Sequence, residues 1–240
     1  MRRVGLAGLL RAGLAVAALA TLAGCGDDAA SGTKTARTTP AVVGAKDVAG
    51  MFAGVPQDGL VLGDPKAKVT FLEFLDAQCP YCKQFAEATF PTIVQDFVRT
   101  GKVRYEARTL AFLGPDSERG ARFLYAAGLQ GKQADVAELI YRNQGQENSG
   151  YMTDAFLRRI GRAVPGLDVE RALRDMATPQ AAEAIAASRT LASRYAVTGT
   201  PTLLVGPTGG DLERIPAKAF TEVDSYRRAV QRAVDAANRR

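Results

Sequence analysis

The chain has 240 residues, 47% hydrophobic and 23% charged, which is room for one full-sized soluble domain with appendages. Its net charge is +6 and it contains no histidine. That composition excludes Ser-His-Asp and Cys-His nucleophilic machinery, His-ligated zinc catalysis and histidine acid–base chemistry.

Taken from the N-terminus, residues 2–22 read as an export signal. Arg2, Arg3 and Arg11 supply positive charge, and Gly13 to Leu22 is an apolar stretch too short to span a bilayer. Leu22-Ala23-Gly24-Cys25 follows. Its small residues suit a cleavage site, and the cysteine after them resembles the bacterial lipoprotein box, which implies a lipidated Cys25; a plain secretory signal with an incidental cysteine is the alternative. Loss of the three arginines leaves 28 of the 31 basic side chains against 25 acidic ones, a charge of +3. That is too mild for a nucleic-acid groove. The expected organisation is a signal peptide over 1–24, a lipidated N-terminus and flexible tether over 25–55, and a folded domain over 56–240. A tether of about 30 residues has a mean reach of roughly 30 Å.

Val69 to Leu75 is rich in β-formers and reads as a strand buried on both faces. A helix follows over 80–98, with Pro80 in its first turn and Ala86, Phe90, Ile93, Val94 and Phe97 on one face; Pro91 should kink it. Lys102 to Thr109 is a second strand. Residues 116–195 read as several helices, with Thr178-Pro179 a cap and first position of one of them. Thr202 to Val205 is a short strand, Gly209-Gly210 a hairpin turn and Asp211 to Ile215 its return strand. Phe220 to Arg239 closes the chain as an amphipathic helix with Val223, Tyr226, Val230 and Val234 inward. The order is β-α-β, a helical block, then β-β-α.

Of the three cysteines, Cys79 and Cys82 form a Cys-x-x-Cys pair between the buried strand and the helix start. Orphan N–H groups and the helix dipole there favour a thiolate at Cys79. Cys82, one turn in, can resolve a mixed disulfide. Three other readings compete. Half a zinc site lacks ligands, since two cysteines and no histidine remain. A structural staple closing so short a loop is worth about 2 kcal/mol, against about 4.7 for a hundred-residue loop. Inert core cysteines fit poorly at a strand-to-helix junction, which tends to lie at the surface.

Glu73 to Cys82 together with Val197-Thr198-Gly199-Thr200-Pro201-Thr202 resembles the two active-site segments of thioredoxin-fold proteins. The long helical block between them is similar to the DsbA-like branch. The resemblance covers residues 56–238 and implies an α/β thioredoxin fold with a helical insertion at about 115–195. It implies an enzyme, a protein-disulfide oxidoreductase without cofactor or metal. It also implies a cis peptide before Pro201, which would face the disulfide, and a Thr200 backbone that offers hydrogen bonds to an extended substrate. Glu73 matches a buried acid that helps move the proton of the second cysteine; a salt-bridged strand-edge glutamate is the alternative. Tyr81 stands where DsbA oxidases carry histidine, which argues against an extreme oxidising potential. The implied partners are exported proteins with cysteines, a membrane redox partner for recycling, and the membrane itself through the lipid anchor on its extracytoplasmic face. A reductase or isomerase, or a non-catalytic peptide-binding module, are the competing functions.

Overall fold

A computed structural model describes residues 41–216 and 219–239. The signal segment, Cys25 and residues 26–40 of the expected tether lie outside the described residues.

The centre of the fold is strand β3, Val69–Leu75, in which every residue is buried. So continuous an apolar run belongs where both faces of a sheet are covered. It pairs in parallel with β4, Val103–Thr109, and antiparallel with β5, Thr202–Pro207. The short strands β1 (Gln57–Asp58), β2 (Val61–Leu62) and β6 (Glu213–Arg214) complete a six-stranded sheet in the order β1-β2-β4-β3-β5-β6. The return strand expected over Asp211–Ile215 thus shortens to Glu213–Arg214, with the Ile215 N–H adding one bond to the Leu203 carbonyl at 2.9 Å. The turn before it is as expected, with Gly209 at a φ of 80° and the Gly210 N–H donating to the Pro207 carbonyl at 3.0 Å.

The helix expected over 80–98 is divided. Helix α2 spans Pro80–Ala88, α3 spans Phe90–Ile93, and a π-helical turn covers Val94–Val98. Pro91 has no N–H to offer the carbonyl four residues back, and the break falls at Thr89. The Thr89 hydroxyl is turned to the Phe220 carbonyl instead, at 2.6 Å. Beneath α2 an aromatic cluster joins helix to sheet. Phe71 stacks on Phe85 at 6.1 Å, Phe85 meets Tyr226 edge-on at 5.8 Å, and Phe90 lies 4.6 Å from Tyr105. Tyr226 comes from the last helix, α9, Val223–Asn238.

Between β4 and β5 lies the helical insertion. It comprises α4 (Pro115–Gly128), α5 (Gln133–Arg142), α6 (Asp154–Arg162), α7 (Val169–Asp175) and α8 (Pro179–Arg194). Pro179 opens α8 as expected, but Thr178 does not cap it: its hydroxyl donates backwards to the Asp175 carbonyl at 2.6 Å.

One expectation is corrected. The composition of residues 45–55 reads as flexible tether, yet Ala45–Phe52 forms a helix, α1, with Val48 and Phe52 buried. Phe52 packs on Phe90 at 6.3 Å. The Arg99 guanidinium donates to the Met51 and Ala53 carbonyls at 2.7 and 2.8 Å, which satisfies acceptors that a helix end leaves open. Eight residues cannot hold a helix alone, so α1 exists through tertiary contacts that its composition does not announce.

Candidate active site

The strand-to-helix junction is fixed by a buried polar knot. Asp76, fully buried, accepts from the Gln78 N–H at 2.9 Å, the Ser117 hydroxyl at 2.5 Å and the Phe112 N–H at 3.2 Å. The Gln78 amide donates to Ser117 and Asn148 at 2.9 and 3.2 Å, and its oxygen accepts from the Asn148 N–H at 2.8 Å. The loop 76–78 is therefore held by the helical insertion as well as by β3. A buried acid survives there because its acceptor capacity is filled.

Cys79 is the N-cap residue of α2, and its Sγ accepts from the Cys82 N–H at 3.4 Å. The same Sγ lies 3.2 Å from the Thr200 carbonyl oxygen across the site. The Thr200–Pro201 peptide is cis, and the Thr202 hydroxyl donates to the Gly199 carbonyl at 2.7 Å, tying that loop to the start of β5. Cys79 is 4% exposed and Cys82 has no exposed surface.

The two thiols have opposite electrostatics. Cys79 is lowered from 9.0 to about 6, first by the hydrogen bond from the Cys82 side chain and then by the Thr200 side chain and the N–H groups of Cys82 and Tyr81, with burial opposing. Cys82 is pushed well above 9.0, first by burial and then by its bond to Cys79. Cys79 is thus the more acidic of the two thiols.

Below them on β3, Glu73 is buried and accepts from the Tyr105 hydroxyl at 2.7 Å. Burial raises its carboxyl from 4.5 to about 8, against the lowering effect of Tyr105. It is not a strand-edge glutamate in a salt bridge. Tyr81 is 55% exposed, its ring 6.0 Å from Phe220. The structure thus brings together Cys79, Pro80, Tyr81, Cys82, Glu73, Thr200 and Pro201. Asp76, Gln78, Ser117 and Asn148, which position the loop, follow no spacing in the sequence, and only the two polar residues just after a buried strand hint at them. Among the described residues no group of histidine, cysteine and carboxylate side chains is arranged to hold a metal ion.

A stabilised thiolate with a protonated thiol one turn behind it is arranged for disulfide exchange, and the chain is a thiol–disulfide oxidoreductase. A family model described as Thioredoxin matches residues 56–214. The chain belongs to the thioredoxin family, within which its helical insertion makes it a DsbA-like protein-disulfide oxidoreductase. A Bacillus cereus relative named "Probable disulfide bond formation protein D" is 28% identical over 185 residues, 76% of this chain and 81% of the relative. The crystal structure of a thioredoxin-like oxidoreductase from Silicibacter pomeroyi matches with a TM-score of 0.58 at 32% identity, covering 78% of this chain and 97% of that one. The fold is also that of Wolbachia pipientis alpha-DsbA1, with a TM-score of 0.62 at 17% identity over 74% of this chain and 92% of that one.

Proposed function

We propose that this protein is an exported oxidase that donates the Cys79–Cys82 disulfide to newly exported proteins. A substrate thiolate attacks Cys79 Sγ and forms a mixed disulfide. The Cys82 sulfur leaves with the bond's electron pair and takes a proton from Glu73. A second substrate thiolate then attacks the substrate sulfur, the substrate disulfide forms, and Cys79 leaves as a thiolate. Thr200 backbone groups beside Pro201 align the extended substrate. The name carried by the Bacillus relative fits this direction.

The observation that carries the reading is the place of Cys79 at the N-cap of α2, where its Sγ accepts from the Cys82 N–H at 3.4 Å, because a helix start favours the thiolate, and a stable thiolate favours the reduced enzyme and makes its disulfide oxidising. Tyr81, which cannot become a cation, sets the limit. The potential should fall above the roughly −270 mV of thioredoxin and below the roughly −120 mV of the strongest oxidant of the fold. Equilibration against a glutathione buffer measures it. A value at or below that of thioredoxin would replace the oxidase with a reductase or isomerase kept reduced by a membrane partner.

The location belongs to the same proposal. Residues 1–24 direct export, Cys25 carries the lipid, and the chain up to about residue 41 tethers the domain to the extracytoplasmic face of the membrane. A membrane partner there would reoxidise the dithiol.

A further inference from the structure

A second acid is buried near the dithiol and is not part of the cycle described above. Glu138 of α5 is 2% exposed. It and Glu73 line one small cavity of about 10 Å³ between the sheet and α5, together with Tyr105, Tyr141, Gln133 and apolar Leu75 and Phe90. The space is that of about one water molecule, and in a mostly apolar lining Glu73, Tyr105, Gln133, Glu138 and Tyr141 are the polar partners open to it. Glu138 Oε2 has no hydrogen-bond partner among the described residues, and neither has Arg142 Nε, which stands 3.7 Å from it. The Arg142 side chain is 20% exposed and so connects this pair to solvent.

We infer that Glu138 is a positioning residue for proton transfer, the outer half of a two-carboxyl relay whose inner half is Glu73. The inference rests on the proton role given to Glu73 in the proposed function. When Cys82 leaves and takes the Glu73 proton, Glu73 becomes an anion in an apolar site. The Glu138 proton then passes through one bridging water to Glu73. The charge moves to Glu138, beside the Arg142 guanidinium, and solvent reprotonates Glu138 along the exposed flank of Arg142. Atoms and charge balance at each step, and no further oxidant or reductant is needed.

The groups facing Glu138 fit this order. From the sheet come Glu73 and Tyr105, from α2 Glu87, which pairs with Lys83 at 3.9 Å, and from α5 itself Tyr141 and Arg142. Helix α1 packs here with apolar Val48 and Phe52. The other buried acids are engaged elsewhere, Asp76 by the Ser117 hydroxyl at 2.5 Å, Asp116 by the Gly150 N–H at 2.9 Å and Asp135 by the Gln57 amide at 2.6 Å. Glu138 itself is raised to about 8, first by burial, with Arg142 lowering it and Glu73 and Glu87 raising it.

The test follows the Glu73 and Glu138 carboxyl carbons by NMR titration of the reduced full chain. Removal of a like charge lowers a neighbour's titration, so E138Q should move the Glu73 midpoint down by about half a pH unit or more. R142M, outside the cavity, should move the Glu138 midpoint up, and it keeps the test available if E138Q does not fold. In stopped-flow oxidation of a dithiol peptide, the pH profile should lose or shift its inflection in E138Q and in E73Q. An unmoved Glu73 midpoint in folded E138Q, or an unmoved Glu138 midpoint in R142M, overturns the relay. If E73Q alters the profile and E138Q does not, the relay alone falls. If E73Q leaves the profile unchanged, the Glu73 role in the proposed function falls with it.

Discussion

At the scale of single residues, the asymmetry between two thiols three positions apart decides the chemistry. Cys79 sits where α2 offers N–H groups, whereas Cys82 has been carried one turn inward to full burial. The mixed disulfide should therefore form at Cys79. Cys82→Ala should accumulate covalent complexes with exported proteins on non-reducing gels, and Cys79→Ala should not; equal trapping by both would reverse the roles. Tyr81 is exposed beside the motif and therefore free to be exchanged. Tyr81→His would place a cation near the thiolate, lowering the Cys79 titration and raising the potential. Because 30 mV corresponds to about 1.4 kcal/mol in this couple, a rise of a few tens of millivolts is expected, read against glutathione.

At the scale of elements, the active-site loop depends on the insertion it leans on. A Cβ built at Gly120 of α4 would come within 2.5 Å of Ala77 Cβ, and 3.2 Å from Met152 Cε. Helix propensity favours alanine over glycine by about 1 kcal/mol, so a surface site would gain from Gly120→Ala. Here the collision should win. Overpacking of this kind costs about 1–3 kcal/mol, and a net loss of stability with slower dithiol exchange is expected from denaturant unfolding and peptide oxidation. An equal or higher unfolding midpoint would place α4 farther from the loop. Such dependencies separate what is legible in the sequence from what is not. The run Val69–Leu75 announces a buried strand because each of its residues is buried, and the Cys pair after it announces the site. Strands of two residues, such as β1 and β2, are too short to carry a period. The knot of Asp76, Gln78, Ser117 and Asn148 joins positions up to 72 residues apart, and Glu138 looks like any helix-surface glutamate until α5 is packed on the sheet.

At the scale of the whole molecule, the buried ionisable groups pull stability in opposite directions with pH. Glu73 and Glu138 have folded values of about 8, above their ordinary 4.5. Their contribution is complete below the unfolded value and is lost as pH rises through 8. Cys79 has a folded value of about 6, below its ordinary 9.0; its contribution is present above the unfolded value and lost as pH falls through 6. The reduced protein should thus lose stability from about pH 5 to about pH 8, and E138Q should flatten that slope. The disulfide form has no Cys79 thiol to titrate. The reduced form should therefore gain on it from about pH 6 to about pH 9, by roughly 1.4 kcal/mol per unit of Cys79 shift expressed. Parallel unfolding curves of the two forms across that range would refute this. A further expectation concerns attachment. Cys25→Ser should release the protein from the membrane fraction or block its processing while thiol exchange by the domain is unchanged; a normally processed, membrane-bound Cys25→Ser protein would argue against lipidation.

The shape of the sheet carries one last consequence. A long open edge invites other chains to add a strand, and unfolded polypeptides do so readily. On one side the sheet ends in β1 and on the other in β6, each two residues long. The β6 edge presents exposed Glu213 and Arg214, with Pro216 just beyond, so it offers a newcomer charge and little ladder. The seven-residue strand β3 lies inside the sheet, and β4 is backed on its outer side by β2 at Tyr105 and Glu106. A protein that exchanges disulfides with other chains thus presents them only short terminal strands.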